Sequence, residues 1–261
     1  NGRRRQRQMC IRDRSKRISS QLQESNSSKP YKAVQRELKR TKRYEIIQTE
    51  NALNRWCEEI LEKKFFAIDT ETTSLDTLNA ELVGISMCID LGKACYIPIA
   101  HQTNQTEYKD IEGKQLDKDI VLKRLQPLLA DESILKIGHN IKYDIKVFDK
   151  YKCQVNSFDD TMLMSHCING GQQRHSLDSV AKYLLNHETI KLKDLIGSGK
   201  KELNFMNVPI NLAADYAAED ADVTFQAWKI LKKELVKKSV YSVYQNIDKP
   251  MISVLIDAEL K

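Results

Sequence analysis

A short apolar run that ends in two acidic residues constrains this chain more than any other feature. Residues 65–68 read Phe-Phe-Ala-Ile and are followed by Asp69, Thr70 and Glu71. Such a run predicts a buried β-strand. Side chains two apart in a strand point to the same face, so both carboxylates leave it together. Two like charges this close are hard to keep ionised unless a divalent cation lies between them. The alternative is an ordinary strand end with two solvated acids.

Length and composition bound the fold. The 261 residues, 41% hydrophobic and 30% charged, suffice for one large domain with a substantial core or for two small ones. No apolar run approaches the ~18 residues of a membrane span, and the basic N-terminus is not followed by the apolar stretch of a signal peptide. The six cysteines are scattered without a Cys-x-x-Cys pair. We therefore expect a cytoplasmic protein without disulfides and without a membrane partner.

The charge is unevenly distributed along the chain. Residues 1–43 carry 15 Lys and Arg against 3 Asp and Glu, or +12, whereas the remainder carries −6. Residues 9–14 resemble the translated end of a transposon adaptor used for sequencing libraries. We therefore interpret residues 1–14 as non-native and residues 15–43 as a flexible basic linker. A basic arm that contacts nucleic-acid phosphates is the alternative.

The periodicity after residue 44 predicts an antiparallel meander followed by helices and a crossover strand. Thr49 is positioned to cap the first helix. A helix, a strand and another helix after three meander strands indicate a mixed α/β sheet. The predicted strands are 44–48, 65–68, 82–89, 94–99 and 134–137. The predicted helices are 51–63, 116–129, 141–151, 160–168, 177–186, 209–238 and a last one from 248. Polar loops are expected at 101–114 and 197–201.

Two further pairs of polar residues have helical spacing. Asn140 and Asp144 are four apart where a short strand meets a helix, so they share a face near the sheet edge. On its own, the position of Asp144 favours a solvated helix acid over a ligand. Tyr216 and Asp220 repeat the spacing on a long helix, where the tyrosine is either core packing or, beside a metal-binding carboxylate, a group that orients water. Glu219 is expected on another part of the helix surface, where alanine would change little.

Taken in chain order, the three pairs form the pattern of the DEDD exonuclease superfamily in its tyrosine branch. From residue 44 to the end, the chain resembles the proofreading 3′→5′ exonuclease domain of bacterial, family A, DNA polymerase I. The stretches that carry this resemblance are FAIDTETTSLD (66–76), YIPIAH (96–101), GHNIKYD (138–144), FDDTML (158–163), RHSLD (174–178) and YAAEDADVT (216–224).

The resemblance implies an α/β fold of the ribonuclease H-like type, with a mixed central sheet between helical layers. It also implies two divalent metal ions, Mg²⁺ or alternatively Mn²⁺ or Zn²⁺. Asp69 would bridge both ions, Glu71 and Asp220 would complete the tighter site, and Asp144 the second one. Tyr216 would hold the attacking water.

The resemblance implies substrate contacts as well. Leu75 would wedge against the terminal base, and Asn140 and Arg174 would contact the terminal nucleotides. His139 departs from the glutamine common at that position, which leaves its role open.

The implied function is metal-dependent removal of nucleoside monophosphates from single-stranded or frayed DNA 3′ ends, which proofreads for a linked polymerase domain. We expect a monomeric exonuclease domain over residues 44–240 and the start of a polymerase domain over 241–261, so that the chain is a fragment. A ribonuclease D-like RNA-trimming enzyme and an inactive fold that binds DNA or spaces domains are the alternatives.

Overall fold

The computed structural model describes residues 42–102, 115–199 and 203–260, which form one body built around a six-stranded sheet. The strands are β1 (Arg43–Ile46), β2 (Phe65–Thr72), β3 (Leu82–Asp90), β4 (Lys93–Pro98), β5 (Leu135–Gly138) and β6 (Phe158–Asp160). Their order is β1-β4-β3-β2-β5-β6. The β2, β3 and β4 strands are antiparallel neighbours, whereas β1, β5 and β6 each pair in parallel. The predicted mixed sheet with its meander is confirmed.

The helices follow the predicted order, with small shifts at their ends. They are α1 (Glu50–Lys63), α2 (Lys118–Ala130), α3 (Ile141–Lys150), α4 (Thr161–Asn169), α5 (Leu177–Val180), α6 (Leu192–Ile196), α7 (Ile210–Lys237), α8 (Tyr241–Val243) and α9 (Lys249–Glu259). The predicted helix over 177–186 is one α-helical turn that continues as a π-helical turn, Ala181–Leu185. A second π-helical turn, Tyr244–Asp248, joins α8 to α9.

Local sequence accounts for the ends of α1. The Thr49 side chain accepts a hydrogen bond from Ala52 N, and Lys64 ends the helix in the left-handed conformation. The amphipathic face of α1 places Leu53, Trp56 and Ile60 in the largest core cluster, which also receives Phe66 and Ile68 from β2. One face of the sheet is therefore covered by α1 and α2.

The other face of the sheet is covered by the long helix α7. Its buried side begins with Ala213, Ala214 and Ala217, and these small residues let the helix axis lie close to β3 and β4. The result is three layers, with the sheet between two helical layers.

Some predictions concern residues outside the described ranges. These are the adaptor-like segment, nearly all of the basic linker, most of the polar loop at 101–114 and the last two residues of the loop at 197–201. Within the described ranges, β1 begins at Arg43, inside the predicted linker. No helix in these ranges is both long enough and apolar enough to span a membrane.

Candidate active site

The two acids that follow the apolar run lie within β2. The strand extends to Thr72, four residues beyond the predicted end, because Asp69 and Glu71 pair with Ser86 and Gly84 of β3. Alternation along the strand places the two carboxylates on one face. A shift of register directly after Glu71 ends the regular pairing there. The acids are thus held by backbone on a central strand rather than at a frayed end.

Asp144 is brought to the same place by the first turn of α3. Its side chain is 2% exposed. Its Oδ1 accepts hydrogen bonds from Thr70 N at 3.0 Å and from Thr70 Oγ1 at 2.6 Å. Thr70, the residue between the two strand acids, therefore fixes the third carboxylate. The prediction that Asp144 is a solvated helix acid is wrong, because its carboxylate is buried against β2.

Tyr216 and Asp220 lie one turn apart on α7, as their spacing predicts, and both side chains line the cleft. Burial and the nearby Asp220, Glu71 and Asp69 raise the pKa of the Tyr216 hydroxyl, so it stays protonated at neutral pH. A protonated phenol can donate to Asp220 and keep its oxygen lone pairs for a further partner.

The four carboxylates act on one another electrostatically. Burial raises the pKa of Asp69 to about 7. Burial, followed by the charge of Asp69, raises the pKa of Glu71, Asp144 and Asp220. All four acids and Tyr216 line one cleft of about 550 Å³. The sequence-predicted cluster is therefore assembled from β2, α3 and α7, which are distant in the chain.

Comparison with known proteins identifies this arrangement. The model of the 3′-5′ exonuclease family matches residues 44–236, and the five residues above lie within that span. The chain belongs to this family. DNA polymerase I of Rhizobium leguminosarum is 37% identical over 229 residues, which cover 84% of this chain and 22% of that protein. The exonuclease domain described here thus spans about a fifth of that relative's length.

Solved structures show the fold of the exonuclease domain. Escherichia coli RNase D superimposes with a TM-score of 0.61 at 18% identity, over 81% of this chain and 50% of that one. Brucella melitensis NrnC with bound Mg²⁺ gives 0.59 at 20% identity, over 85% and 94%. These likenesses confirm the ribonuclease H-like fold.

The chemistry of the exonuclease site fits divalent metal ions. Its four candidate ligands are all carboxylates, the donors that Mg²⁺ and Mn²⁺ prefer, and their pKa values are raised by burial and, for Glu71, Asp144 and Asp220, by the charge of Asp69, both of which a bound cation would offset. No three Asp, Glu, His or Cys side chains within the described residues already enclose an ion position. Asp144 and Asp220 instead turn towards Thr70 and Tyr216. The residues are therefore candidate ligands that must converge to hold an ion.

The loop after β2 forms one rim of the cleft. Leu75 at its tip is 90% exposed and lines the cleft. Asp76 organises the turn, since its Oδ1 accepts from Leu78 N at 3.2 Å and its Oδ2 from Asn79 Nδ2 at 2.6 Å. Leu75, for which the resemblance implies a wedge against the terminal base, is thus an exposed apolar side chain on an ordered turn.

The other two predicted substrate contacts, Asn140 and Arg174, differ in whether they line the cleft. Asn140 lines the cleft and is the residue directly before α3, where its backbone is left-handed with φ 64°. Arg174 is exposed between α4 and α5 and is not among the lining residues, although its neighbours Ser176 and Leu177 are. His139 also lines the cleft and lies 2.9 Å, Nδ1 to Oγ1, from Thr161. Burial lowers the pKa of His139 to about 4, so the ring is neutral.

Several residues of the cleft wall were not predicted from the sequence. The Tyr143 hydroxyl donates to Ser74 O at 2.7 Å and is also hydrogen-bonded to Thr72, which ties α3 to the rim loop. Phe205 packs beside the Tyr216 ring, with centroids 6.1 Å apart. Tyr143 immediately precedes Asp144, so its place in the motif was a usable signal. No local pattern marks Phe205.

The prediction that Glu219 lies on the surface of the helix, away from Tyr216 and Asp220, is wrong because its side chain is buried. Glu219 is 2% exposed, and its Oε1 lies 2.6 Å from Lys42 Nζ and 3.0 Å from His187 Nε2. Its Oε2 accepts from Ile190 N at 2.7 Å. Burial would raise the pKa of Glu219, but these hydrogen bonds lower it below the usual range. Glu219, which lies on α7, links this helix to the chain before β1 and to the loop before α6, so its role is structural.

Proposed function

We propose that the chain is a divalent-metal-dependent 3′→5′ exonuclease that releases nucleoside monophosphates from DNA 3′ ends and proofreads for a polymerase in the same protein. We further propose that it acts as a monomer in the bacterial cytoplasm. The observation that supports this most is the convergence of Asp69, Glu71, Asp144, Asp220 and Tyr216 on one cleft.

The cleft residues suggest how the chain would act on a phosphodiester. Asp69, Glu71, Asp144 and Asp220 would hold the cations. When bound, two divalent cations would stabilise the entering and leaving oxygens of an in-line displacement at phosphorus. The protonated Tyr216 hydroxyl lies near Asp220 and can donate to it, while its oxygen can accept a hydrogen bond from a water and orient it.

The shape of the cleft supports a preference for frayed ends. Leu75 presents an exposed apolar side chain at the rim, where it would separate a terminal base from its neighbour. A paired end must first lose its pairing and stacking, at a cost of a few kcal/mol, and a mismatched end loses less. A mismatched primer terminus is therefore the better substrate.

The proposal is tested by the release of labelled nucleoside monophosphate from 3′-labelled DNA with Mg²⁺ or Mn²⁺, under single-turnover conditions. Wild type should trim mismatched ends faster than matched ones. Asp69→Ala should abolish release, and Tyr216→Phe should reduce it by at most the ~10²–10⁴-fold of a positioned acid–base group.

Asp215→Ala is the matched control, because Asp215 is an exposed acid on α7 directly before Tyr216. It should behave as wild type. Full activity in Asp69→Ala would show that the site is misassigned, and inactivity of wild type on every substrate would support a binding or spacer role. Faster trimming of an RNA strand of the same sequence would favour the ribonuclease D-like alternative. Equal rates on matched and mismatched ends would contradict proofreading.

A further inference from the structure

The helix that carries Asp144 lacks a side-chain cap of its own. Asn140, the residue before α3, makes no capping hydrogen bond with its side chain. The buried carboxylate of Asp160, at the end of β6, takes over this role. Its Oδ1 accepts from Asn140 N at 3.2 Å, and its Oδ2 accepts from Ile141 N at 3.0 Å. Asp160 therefore fixes the first turn of α3, in which Asp144 lies.

The same carboxylate also caps α4. Asp160 Oδ1 accepts from Met162 N at 2.8 Å and from Leu163 N at 3.2 Å. One side chain thus satisfies four of the backbone N–H groups that two helix starts leave without intrahelical partners. A displacement of Asp160 would move the start of α3 relative to the sheet.

Asp160 is held in turn by the segment that follows α7. Tyr244, which is fully buried, accepts a hydrogen bond from Asp160 N at 2.8 Å and donates to Asp159 Oδ1 at 3.1 Å. Trp228 Nε1 and Lys249 Nζ donate to the same Asp159 carboxylate, at 2.8 and 3.1 Å. A tyrosine beyond the family match, which ends at residue 236, therefore fixes the backbone of the residue that caps α3.

Helix α9 contacts α3 directly as well. Ile252 and Ile256 pack on Ile141 in a small apolar cluster. Glu259 accepts hydrogen bonds from Lys146, at 2.8 Å, and from Lys142 on the exposed side of α3. Residues 241–260 thus reach the start of α3 along two routes, one through Asp160 and one across the α3–α9 contact.

We propose that Asp160 and Tyr244 are positioning residues for Asp144, through which residues 241–260 set the geometry of the exonuclease site. This inference rests on the proposed function in that Asp144 is taken as a metal ligand. Of the four carboxylates, only Asp144 lies on a helix whose first turn is fixed by this segment. A shift of residues 241–260 would therefore change the metal site through Asp144 and not through the other three carboxylates.

The test compares Tyr244→Phe, which keeps the ring and removes the hydroxyl, with Tyr241→Phe as the matched control. Tyr241 lies on the same segment and is exposed, and its hydroxyl accepts only from Gln245 among the described side chains. Loss of the Tyr244 hydrogen bonds should raise the half-saturating Mg²⁺ concentration for exonuclease activity about two- to tenfold. It should also speed amide hydrogen exchange over residues 138–146 in EDTA. Tyr241→Phe should change neither.

A measurement on wild type keeps the test independent of how the variant folds. Coupling between two sites is reciprocal, so Mn²⁺ should slow amide exchange over residues 241–248 as well as over 138–146. Protection of 138–146 alone would overturn the inference. So would a Tyr244→Phe protein that melts earlier but has the metal dependence of wild type, because that is the behaviour of a structural contact. Metal-induced protection without DNA hydrolysis would instead refute the proposed function and leave the coupling standing.

Discussion

Replacing Asp69 with asparagine should change how stability depends on pH when no divalent ion is present. Asp69 has a pKa of about 7 in the folded protein, against an ordinary value of 3.8. The folded chain therefore binds this proton more tightly than the unfolded chain does. The free energy of unfolding falls as the pH rises through the window between the two values, and the full cost is present above pH 7.

The size of the effect follows from that shift. Between about pH 6 and about pH 8 the unfolded carboxyl is ionised throughout, whereas the folded one passes through its titration. The free energy of unfolding should fall by roughly 1–2 kcal/mol from this group over that range, which corresponds to a few degrees in Tm. Asp69 also contributes to the raised pKa of Glu71, Asp144 and Asp220, so its removal lowers their pKa values too. The contribution of Asp69 alone is thus a lower bound on the difference between the two proteins.

Two buried histidines act in the opposite direction over the same range. Burial lowers the pKa of His101 and of His139 to about 4. Each remains neutral in the folded chain while its unfolded counterpart gains a proton near pH 6, so each makes the protein roughly 1 kcal/mol more stable at pH 8 than at pH 6. The quantity to measure is therefore the difference between wild type and Asp69→Asn, in which the histidine contributions cancel.

The assay is thermal melting of both proteins in EDTA across this pH range, repeated with millimolar Mg²⁺. In EDTA the Tm of wild type should fall relative to that of Asp69→Asn as the pH rises. Because a ligand that binds only the folded state stabilises it, Mg²⁺ should raise the Tm of wild type most at the alkaline end. Parallel Tm curves for the two proteins in EDTA would refute the assignment of a repelling buried cluster around Asp69.

Two further predictions concern stability alone. Glu219→Ala should cost about 2–4 kcal/mol in urea unfolding, because it removes the shared acceptor of Lys42, His187 and Ile190 N from a buried site. A loss below about 0.5 kcal/mol would mean that this cluster is of no structural importance. Gly84→Ala should cost at least about 1–3 kcal/mol, since a Cβ at Gly84 would lie 2.0 Å from the hydroxyl of Tyr96 on the adjacent strand β4, whereas Gly171→Ala has open space and should be near neutral.

Much of the fold could be predicted because its elements have clear sequence patterns. The continuous apolar, β-rich runs of β3 and β4, with a Gly-containing turn between them, specify a hairpin, and the long helical repeat from residue 210 specifies α7. The carboxylate pairs could be assigned because their spacing matches the period of the element on which each lies. Of the predicted site residues, only Arg174 does not line the cleft, and it lies on a segment with weak periodicity.

Residues whose roles arise only in the tertiary structure could not be predicted. Glu219 has the same local surroundings as a surface acid, and its partners are 29 to 177 residues away in sequence. The extension of β2 through Glu71 depends on its pairing with β3. The capping of α3 by Asp160 likewise joins residues 20 positions apart. Helix propensity and hydrophobic period carry no information on such contacts.

The four carboxylates differ in what holds them, and this difference has a functional consequence. Asp69 and Glu71 are fixed by a central strand, and Asp220 by a helix packed along the whole sheet. The fully buried residues that α3 contributes to the largest core cluster, Val147 and Phe148, lie in its second half. Its first turn is held by Asp160 and α9, and by the hydrogen bonds from Thr70 to Asp144. Changes in residues 241–260 should therefore alter the contribution of Asp144 before that of the other three, and a loss of activity that excess Mg²⁺ restores is the expected sign.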